Sequence, residues 1–201
     1  MSKIVDHEKR KERIAEACWR VIRKGGLEHA TVRKIAKEAG LSVGALRHYF
    51  STQSELFIFA MNLVIKRMTE RSKQKLAASG EEDPFGSARA ILKFLLPIDK
   101  ERKLEMEVWY AFTAKSLNDS KLKPLSDQMY KGIYNVSKLA IDTLIKANLL
   151  KQNIDVEMEI ERLFAVVDGL AVHCILKPDQ ATPNLVDSVI THHLESICNL
   201  Q

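Results

Sequence analysis

Apolar residues recur along this chain at the spacing of an α-helix, and this periodicity restricts the fold more than any other feature. In a first helix predicted over 6–24, Ile14, Cys18, Val21 and Ile22 form one apolar stripe among charged residues. No stretch shows the sustained alternation of a strand. Apolar residues (46%) and charged residues (28%) occur in the proportions of a folded protein rather than a disordered one. The sequence therefore predicts an all-α fold.

Capping residues and the same periodicity predict the other helices. Thr31 and Ser42 are each suited to cap a short helix, and Thr52 with Glu55 forms a capping box at the start of a long one. A loop is expected around residue 80. The helices predicted after it are 84–96, 100–117, 121–150, 156–176 and 182–199.

Basic residues are concentrated in the first quarter of the chain. Residues 1–50 contain 12 Lys/Arg against 6 Asp/Glu, whereas residues 51–201 contain 19 against 20. This segregation favours an N-terminal module that binds a polyanion such as nucleic acid, although a solvated basic face would have the same composition. We place the domain boundary after residue 51, with a basic, polyanion-binding domain over 1–51 and a helical domain over 52–201.

Other classes of site and location are disfavoured by the sequence. No apolar run approaches the ~20 residues of a membrane-spanning helix, and the N-terminus lacks the apolar segment of a secretory signal, so we expect a cytoplasmic protein with no membrane partner. Cys18, Cys174 and Cys198 lie in apolar-periodic stretches and are expected to be buried. His192 and His193 point about 100° apart on a helix, without a third ligand at suitable spacing. No metal, cofactor or catalytic motif is predicted.

The passage GLSVGALRHYF, residues 40–50, joins a glycine turn to a short helix expected to extend to its end. With the helix before it, this passage has the form of a helix-turn-helix, whose second helix enters the major groove of DNA. Gly44 leaves room for close approach to DNA, Arg47 can contact guanine or phosphate, and His48 and Tyr49 can donate to phosphate oxygens. Short helix pairs also occur by chance, and the Tyr49 ring could instead belong to the core.

Residues 31–57, TVRKIAKEAGLSVGALRHYFSTQSELF, resemble the DNA-binding signature of the TetR family of bacterial transcriptional repressors. Residues 107–125, EVWYAFTAKSLNDSKLKPL, are similar to the BetI-type subgroup in their Trp-x-x-Phe pattern. The resemblance implies an N-terminal three-helix helix-turn-helix DNA-binding domain, followed by a helical domain that binds a ligand and dimerises.

The resemblance also implies which residues contact DNA. They are Thr31, Arg33, Lys34, Ser42, Val43, Gly44, Arg47, His48 and Tyr49. Many members of the family have tyrosine where Arg47 stands and lysine where Gln53 stands. The first difference suggests another base preference, and the second leaves more of the phosphate contact to basic residues such as Lys3, Lys9 and Arg10.

For the helical body, the resemblance implies a small-molecule pocket and a dimer interface on the last two helices. The candidate pocket residues are Met106, Trp109, Tyr110, Tyr130, Tyr134 and His173. The candidate interface residues are Phe164, Val167, Asp168, Leu170, Ala171, Val189 and His193. Both groups could instead be ordinary core, because aromatic and apolar residues at helical spacing usually are. Asp168 could form an interhelical ion pair, pair within the dimer or face a cationic ligand.

These observations lead to one functional hypothesis and two alternatives. The sequence predicts a homodimeric repressor that binds a palindromic site on double-stranded DNA and leaves it when a small-molecule effector binds. A ligand-responsive activator or a nucleoid-type DNA binder would use the same DNA-binding module. An all-helical enzyme or interaction scaffold with an incidentally basic N-terminus is the alternative from another class, and the charge segregation favours DNA binding over it.

Overall fold

The computed structural model describes the backbone of residues 2–78 and 83–199 and the side chains of residues 6–71 and 83–199. Within these ranges the chain forms nine α-helices, one 3-10 helix (Leu27–His29) and no strand, which confirms the all-α fold class. The α-helices are α1 (Ser2–Gly25), α2 (Val32–Glu38), α3 (Val43–Arg47), α4 (Gln53–Ala78), α5 (Pro84–Phe94), α6 (Lys100–Ser116), α7 (Lys123–Lys146), α8 (Val156–Leu176) and α9 (Pro183–Ile197). The loop predicted around residue 80 falls partly on residues 79–82, which lie outside the described residues. None of the described helices is both long and apolar enough to cross a lipid bilayer.

The chain packs as two compact units. Unit 1 comprises residues 1–67 and 104–127, and unit 2 comprises residues 68–103 and 128–201. These units describe packing. The functional boundary predicted after residue 51 stays a prediction.

The core of unit 1 is built on α1, α4 and α6. The apolar stripe predicted on α1 is buried, and Trp19, which was not assigned to that stripe, is buried with it. The indole Nε1 of Trp19 donates a hydrogen bond to the carbonyl oxygen of Ala60 on α4, at 3.3 Å. On the same helix, the ring of Phe57 lies edge-on to the ring of Phe112 on α6, at 5.4 Å between centroids. The helix that precedes the helix-turn-helix is therefore fixed to a rigid support.

The core of unit 2 includes one face of α8 and one face of α9. The link between α7 and α8 also contacts the end of α9, because the amide of Lys151 donates to the carbonyl of Ile197 at 2.9 Å. α7 ends at Lys146 and not at residue 150 as predicted. Asn148 takes a left-handed φ of 56° there, and its amide and the next one bond back to the last turn of the helix.

The three cysteines are free and buried, as predicted. Burial raises the pKa of the Cys18 thiol to about 12, and it raises the pKa of Cys174 and Cys198 as well. A thiol with a raised pKa carries little thiolate at neutral pH and reacts slowly. The cysteines are thus small apolar core residues.

Candidate nucleic-acid interface

Local capping interactions form the α2–turn–α3 segment. The Oγ1 of Thr31 accepts a hydrogen bond from the amide of Lys34 at 3.4 Å, and the Oγ of Ser42 accepts one from the amide of Ala45 at 3.1 Å. Both residues are therefore the helix caps that were predicted. Between the two helices, Gly40 has a φ of 68°, a conformation that side chains with a Cβ rarely adopt. The turn angle is thus determined by the glycine.

The buried side of α3 packs against the rest of unit 1. Leu46 and Phe50 are both buried, as predicted from their spacing. The prediction that the helix extends to Phe50 is wrong, because α3 ends at Arg47. The amides of His48 and Tyr49 bond to carbonyls only three residues back, at 3.3 and 2.9 Å, and this tightening ends the helix. His48 and Tyr49 consequently lie on a turn.

The start of α4 is capped locally and contacts the residue before the cap of α2. Thr52 caps α4 by accepting a hydrogen bond from the amide of Glu55 at 3.1 Å, as predicted. The carboxylate of Glu55 accepts in return from the amide of Ser51 at 2.8 Å, one residue earlier than in a standard capping box. The side chain of Gln53 donates to the carbonyl of Ala30 at 2.8 Å. Gln53 therefore braces the start of α2.

All nine residues predicted to contact DNA lie on α2, α3 and the adjoining turns. Eight are exposed: Thr31, Arg33, Lys34, Ser42, Val43, Gly44, Arg47 and His48. Tyr49 is half-buried, and its ring lies 5.0 Å from the ring of His7 on α1, a contact that the sequence did not suggest. A Cβ added to Gly44 would meet only the Oγ of Ser42, at 3.9 Å. The N-terminal end of α3 is therefore slim and open on its outer side.

Ion pairs neutralise acidic side chains of residues 1–50. Four of the six acids contact a cation of another element, and three of these cations come from beyond residue 50. The pairs are Glu12–Lys66 (3.1 Å), Glu16–Arg67, Glu28–Lys115 (3.4 Å) and Glu38–Arg20 (2.8 Å). The basic residues exposed on α1 and α2 thus face fewer uncompensated acids than the sequence count implies. Among those expected to contact phosphate, Lys9 and Arg10 are exposed, and the Lys3 side chain lies outside the described residues.

Glu38 is the acid on α2. Its two oxygens accept hydrogen bonds from Arg20 at 2.8 Å and Lys24 at 2.9 Å, both on α1. These two hydrogen bonds, Arg20's first, lower the pKa of Glu38 below its ordinary value. Glu38 therefore stays ionised and ties α2 to α1, and its negative charge is balanced by Arg20 and Lys24.

The six residues predicted to line a ligand pocket are divided between the two units. In unit 1, Met106 and Trp109 are buried on α6 and Tyr110 is half-buried. In unit 2, His173 is exposed on α8.

Two tyrosines of α7 pack on α8 within unit 2. The rings of Tyr130 and Tyr134 stand edge-on to the ring of Phe164, at 4.7 and 6.2 Å between centroids. The hydroxyl of Tyr134 also contacts a carboxylate oxygen of Glu157 at 3.2 Å. These contacts are a packed aromatic cluster, and the six-residue pocket stays a prediction.

Most of the predicted dimer-interface residues are buried within the single chain. The buried ones are Phe164, Val167, Leu170, Ala171 and His193. Asp168 and Val189 are half-buried. Residues buried within one chain have little surface left for a partner, so the interface stays a prediction that depends on the accessible positions of α8 and α9.

Comparison with known families decides between a transcriptional regulator and the enzyme or scaffold alternative. Residues 14–58 match the family described as bacterial regulatory proteins of the tetR family, and residues 86–199 match the BetI-type transcriptional repressor, C-terminal. The chain belongs to the TetR family. Both resemblances seen in the sequence are confirmed, since one match contains the helix-turn-helix and the other covers most of the helical body.

Individual relatives of this TetR-family chain support the same conclusion. The chain is 48% identical to the HTH-type transcriptional regulator PksA of Bacillus subtilis (strain 168), over 98% of this chain and 94% of PksA. It is 26% identical to the HTH-type transcriptional regulator BetI of Yersinia pestis (strain Pestoides F), over 96% and 94%. Among solved structures, a putative transcriptional regulator from Saccharomonospora viridis in complex with choline has the same fold, with a TM-score of 0.85, 21% identity, and 96% and 100% coverage. The chain is a TetR-family helix-turn-helix transcriptional regulator, and the enzyme and scaffold alternatives are set aside.

Proposed function

We propose that this chain is a dimeric repressor that binds a palindromic operator through α3 and leaves it when a small molecule binds the helical body. The observation that carries the proposal is the exposed polar edge of α2 and α3, with buried Leu46 and Phe50 behind it. Because the proposed operator is bacterial DNA, the proposed place of action is the cytoplasm.

Within this proposal the exposed residues divide into two groups. Arg47 lies on the outer side of α3, one position from buried Leu46, and its guanidinium can make two hydrogen bonds to one guanine. Val43 and Gly44 face the bases at the slim end of the helix. Thr31, Arg33, Lys34, Ser42, His48 and Tyr49 are assigned to the phosphate backbone, where such side chains set register and orientation.

The proposed dimer interface uses the side of α8 and α9 that the single chain leaves accessible. On α8 these accessible positions recur at helical spacing: Ala165, Gly169, Val172 and Leu176. On α9 they include Leu185 and Val189. Leu176 is 67% exposed and Leu185 is 48% exposed, and a partner subunit would cover both. A two-fold dimer would place two α3 helices about one DNA turn apart, which requires a palindromic operator.

The proposed release by an effector is supported by family membership and by the relative solved with choline. A ligand releases a repressor only if it binds the DNA-free conformation more tightly than the DNA-bound one.

In vitro transcription from the chain's own upstream region tests the proposal. Added protein should lower transcript yield in proportion to operator occupancy, and a promoter with a scrambled operator should be unaffected. A rise in transcript on the natural promoter would identify an activator instead. Unchanged transcript on both promoters would contradict the proposal.

A further inference from the structure

A cavity in unit 2 has a markedly basic lining. Its volume is about 400 Å³, within the range of small-molecule sites. The lining comes from α4, α5 and α6 and from the link that precedes α6. It includes Arg71, Arg89, Lys93, Phe94, Asp99 and Arg102. Four cations and one carboxylate thus share one small space.

Three carboxylates of the described residues lie around the cavity and compensate part of this charge, and the first, Glu101, lies 3.9 Å from the Nη1 of Arg71. Asp187 of α9 lies 2.9 Å from the Nζ of Lys93 and 3.9 Å from the Nη1 of Arg89. Asp99 accepts a hydrogen bond from the Nε of Arg102 at 2.7 Å. The hydrogen bond from Lys93 lowers the pKa of Asp187. Burial raises the pKa of Asp99, but its hydrogen bonds from Arg102 outweigh this, so both acids are ionised at neutral pH.

The count of donors shows what these carboxylates leave unused. A guanidinium has five N–H donors and an ammonium has three, whereas a carboxylate has two oxygens. Lys93 is within hydrogen-bonding distance of Asp187, but at 3.9 Å the guanidinium of Arg89 is beyond it. The Arg89 side chain is 40% exposed and lines the cavity. An anion that entered would find donors one helical turn apart on α5, at Arg89 and Lys93.

The rest of the lining is apolar. Phe94, Ala90 and Ile98 contribute to it, and the guanidinium of Arg102 lies 5.8 Å from the centre of the Phe94 ring. A ligand that fits this lining has an anionic group and a short apolar body. A quaternary ammonium such as choline fits it poorly, because the four cations of the lining outnumber its one carboxylate.

We propose that this cavity binds a small amphipathic anion, a carboxylate or phosphate ester on an apolar chain, and that this anion is the effector class. The inference rests on the proposed repressor function. It distinguishes this chain from the relative solved with choline, since the lining selects the opposite charge.

Calorimetric titration of the full-length protein tests the proposal with probes that share one alkyl chain. The probes are hexanoate, hexyl phosphate, hexanol and hexyltrimethylammonium. The two anions should bind, with hexanol weaker and the cation weakest. Absence of binding by both anions, or tighter binding of the cation, would overturn the proposal.

Substitutions test whether the anionic probes bind in this cavity. Arg89→Gln should weaken hexyl phosphate binding about ten- to a hundredfold, the effect of losing one or two hydrogen bonds to a charged group. Lys131→Gln removes the same charge from an exposed position of α7 and should leave binding unchanged. Equal affinity of the wild type and Arg89→Gln would overturn the assignment. An Arg89→Gln variant that keeps its affinity for the probe but loses affinity for DNA would also overturn the assignment, because Arg89 would then contact the DNA phosphate backbone instead of an effector.

Operator binding, measured separately with and without hexyl phosphate, distinguishes the inference from the function it rests on. Binding to the operator without binding to the anions leaves the repressor proposal standing and refutes the anion site. Anion binding without operator binding refutes the repressor proposal and keeps the site. If both bind, hexyl phosphate should lower operator affinity, and unchanged affinity would refute the effector role.

Discussion

Replacing Gly44 by alanine separates folding from DNA binding. The added Cβ would have its nearest neighbour at 3.9 Å, the Oγ of Ser42, which is an ordinary van der Waals contact. Alanine is favoured over glycine in a helix, so the free energy of unfolding should rise by about 0.5 kcal/mol. For a chain of this size that corresponds to a rise in Tm of about 1–2 °C. The substitution therefore leaves the fold intact.

DNA binding should respond in the opposite direction. Gly44 is exposed beside Arg47 on the slim end of α3, where the account places the floor of the major groove. A methyl group forced into a close-packed contact costs about 1–3 kcal/mol, which would weaken operator binding about 5- to 150-fold. The measurement is fluorescence anisotropy on the operator, with scanning calorimetry of the free protein.

Gly132→Ala is the matched control. Gly132 lies on α7, is exposed, and has no atom within 4 Å of an added Cβ, so alanine there should stabilise the protein without affecting DNA binding. Unchanged operator affinity of Gly44→Ala would refute the close approach of α3 to DNA. A lowered Tm would refute the reasoning that the position has free space.

Four further predictions concern DNA recognition, assembly and pH. Arg47→Ala should weaken binding to the operator by about 1–3 kcal/mol and relax the base preference at one position, whereas Tyr49→Phe should weaken binding to the operator and to random DNA by similar factors. Binding selections measure both effects. An equal loss of affinity for all sequences with Arg47→Ala, or a loss of selectivity with Tyr49→Phe, would contradict this assignment. Binding should weaken steeply between low and physiological salt, and anisotropy titrations with a flat response would contradict several phosphate contacts. Gly169→Arg places a large side chain on the proposed interface and should give a monomeric mass by sedimentation, whereas the control Gly132→Arg should stay dimeric. A dimeric Gly169→Arg variant would exclude this side of α8 from the interface. Ionised Glu38 stabilises the fold above the ordinary glutamate pKa, about 4.3, and this stabilisation is lost as pH falls through its lowered folded-state pKa. Glu38→Gln should therefore cost more stability at neutral pH than at acid pH. An equal loss at the two pH values, measured by urea unfolding, would contradict the ion pair.

The parts predicted correctly from the sequence depend on neighbours along the chain. The caps by Thr31, Ser42 and Thr52 use amides three residues ahead, and Leu46 and Phe50 share a face because they are four residues apart. The end of α3 was misjudged, because the shift to bonds three residues back leaves no mark in the composition of the segment.

Distant contacts could not be predicted. The ring contact of His7 with Tyr49 joins α1 to the turn after α3, and no local pattern in the sequence marks it. The basic cavity joins side chains from Arg71 to Arg102, and no motif links them. The apolar face of α8 is buried within the chain, and such a face occurs both in the core of one chain and at an interface between two, so the sequence alone does not distinguish them.

The central claim is that the α2–α3 edge binds DNA in a sequence-specific way. A mobility shift of the wild-type protein on its own upstream DNA and on a scrambled duplex of equal length tests it most directly, at physiological salt with Arg47→Ala in parallel. The account predicts that the wild type binds the upstream DNA at least ~1,000-fold more tightly than the scrambled duplex, and that Arg47→Ala narrows this ratio. Equal wild-type affinity for the two duplexes, or a ratio unchanged by Arg47→Ala, would contradict it.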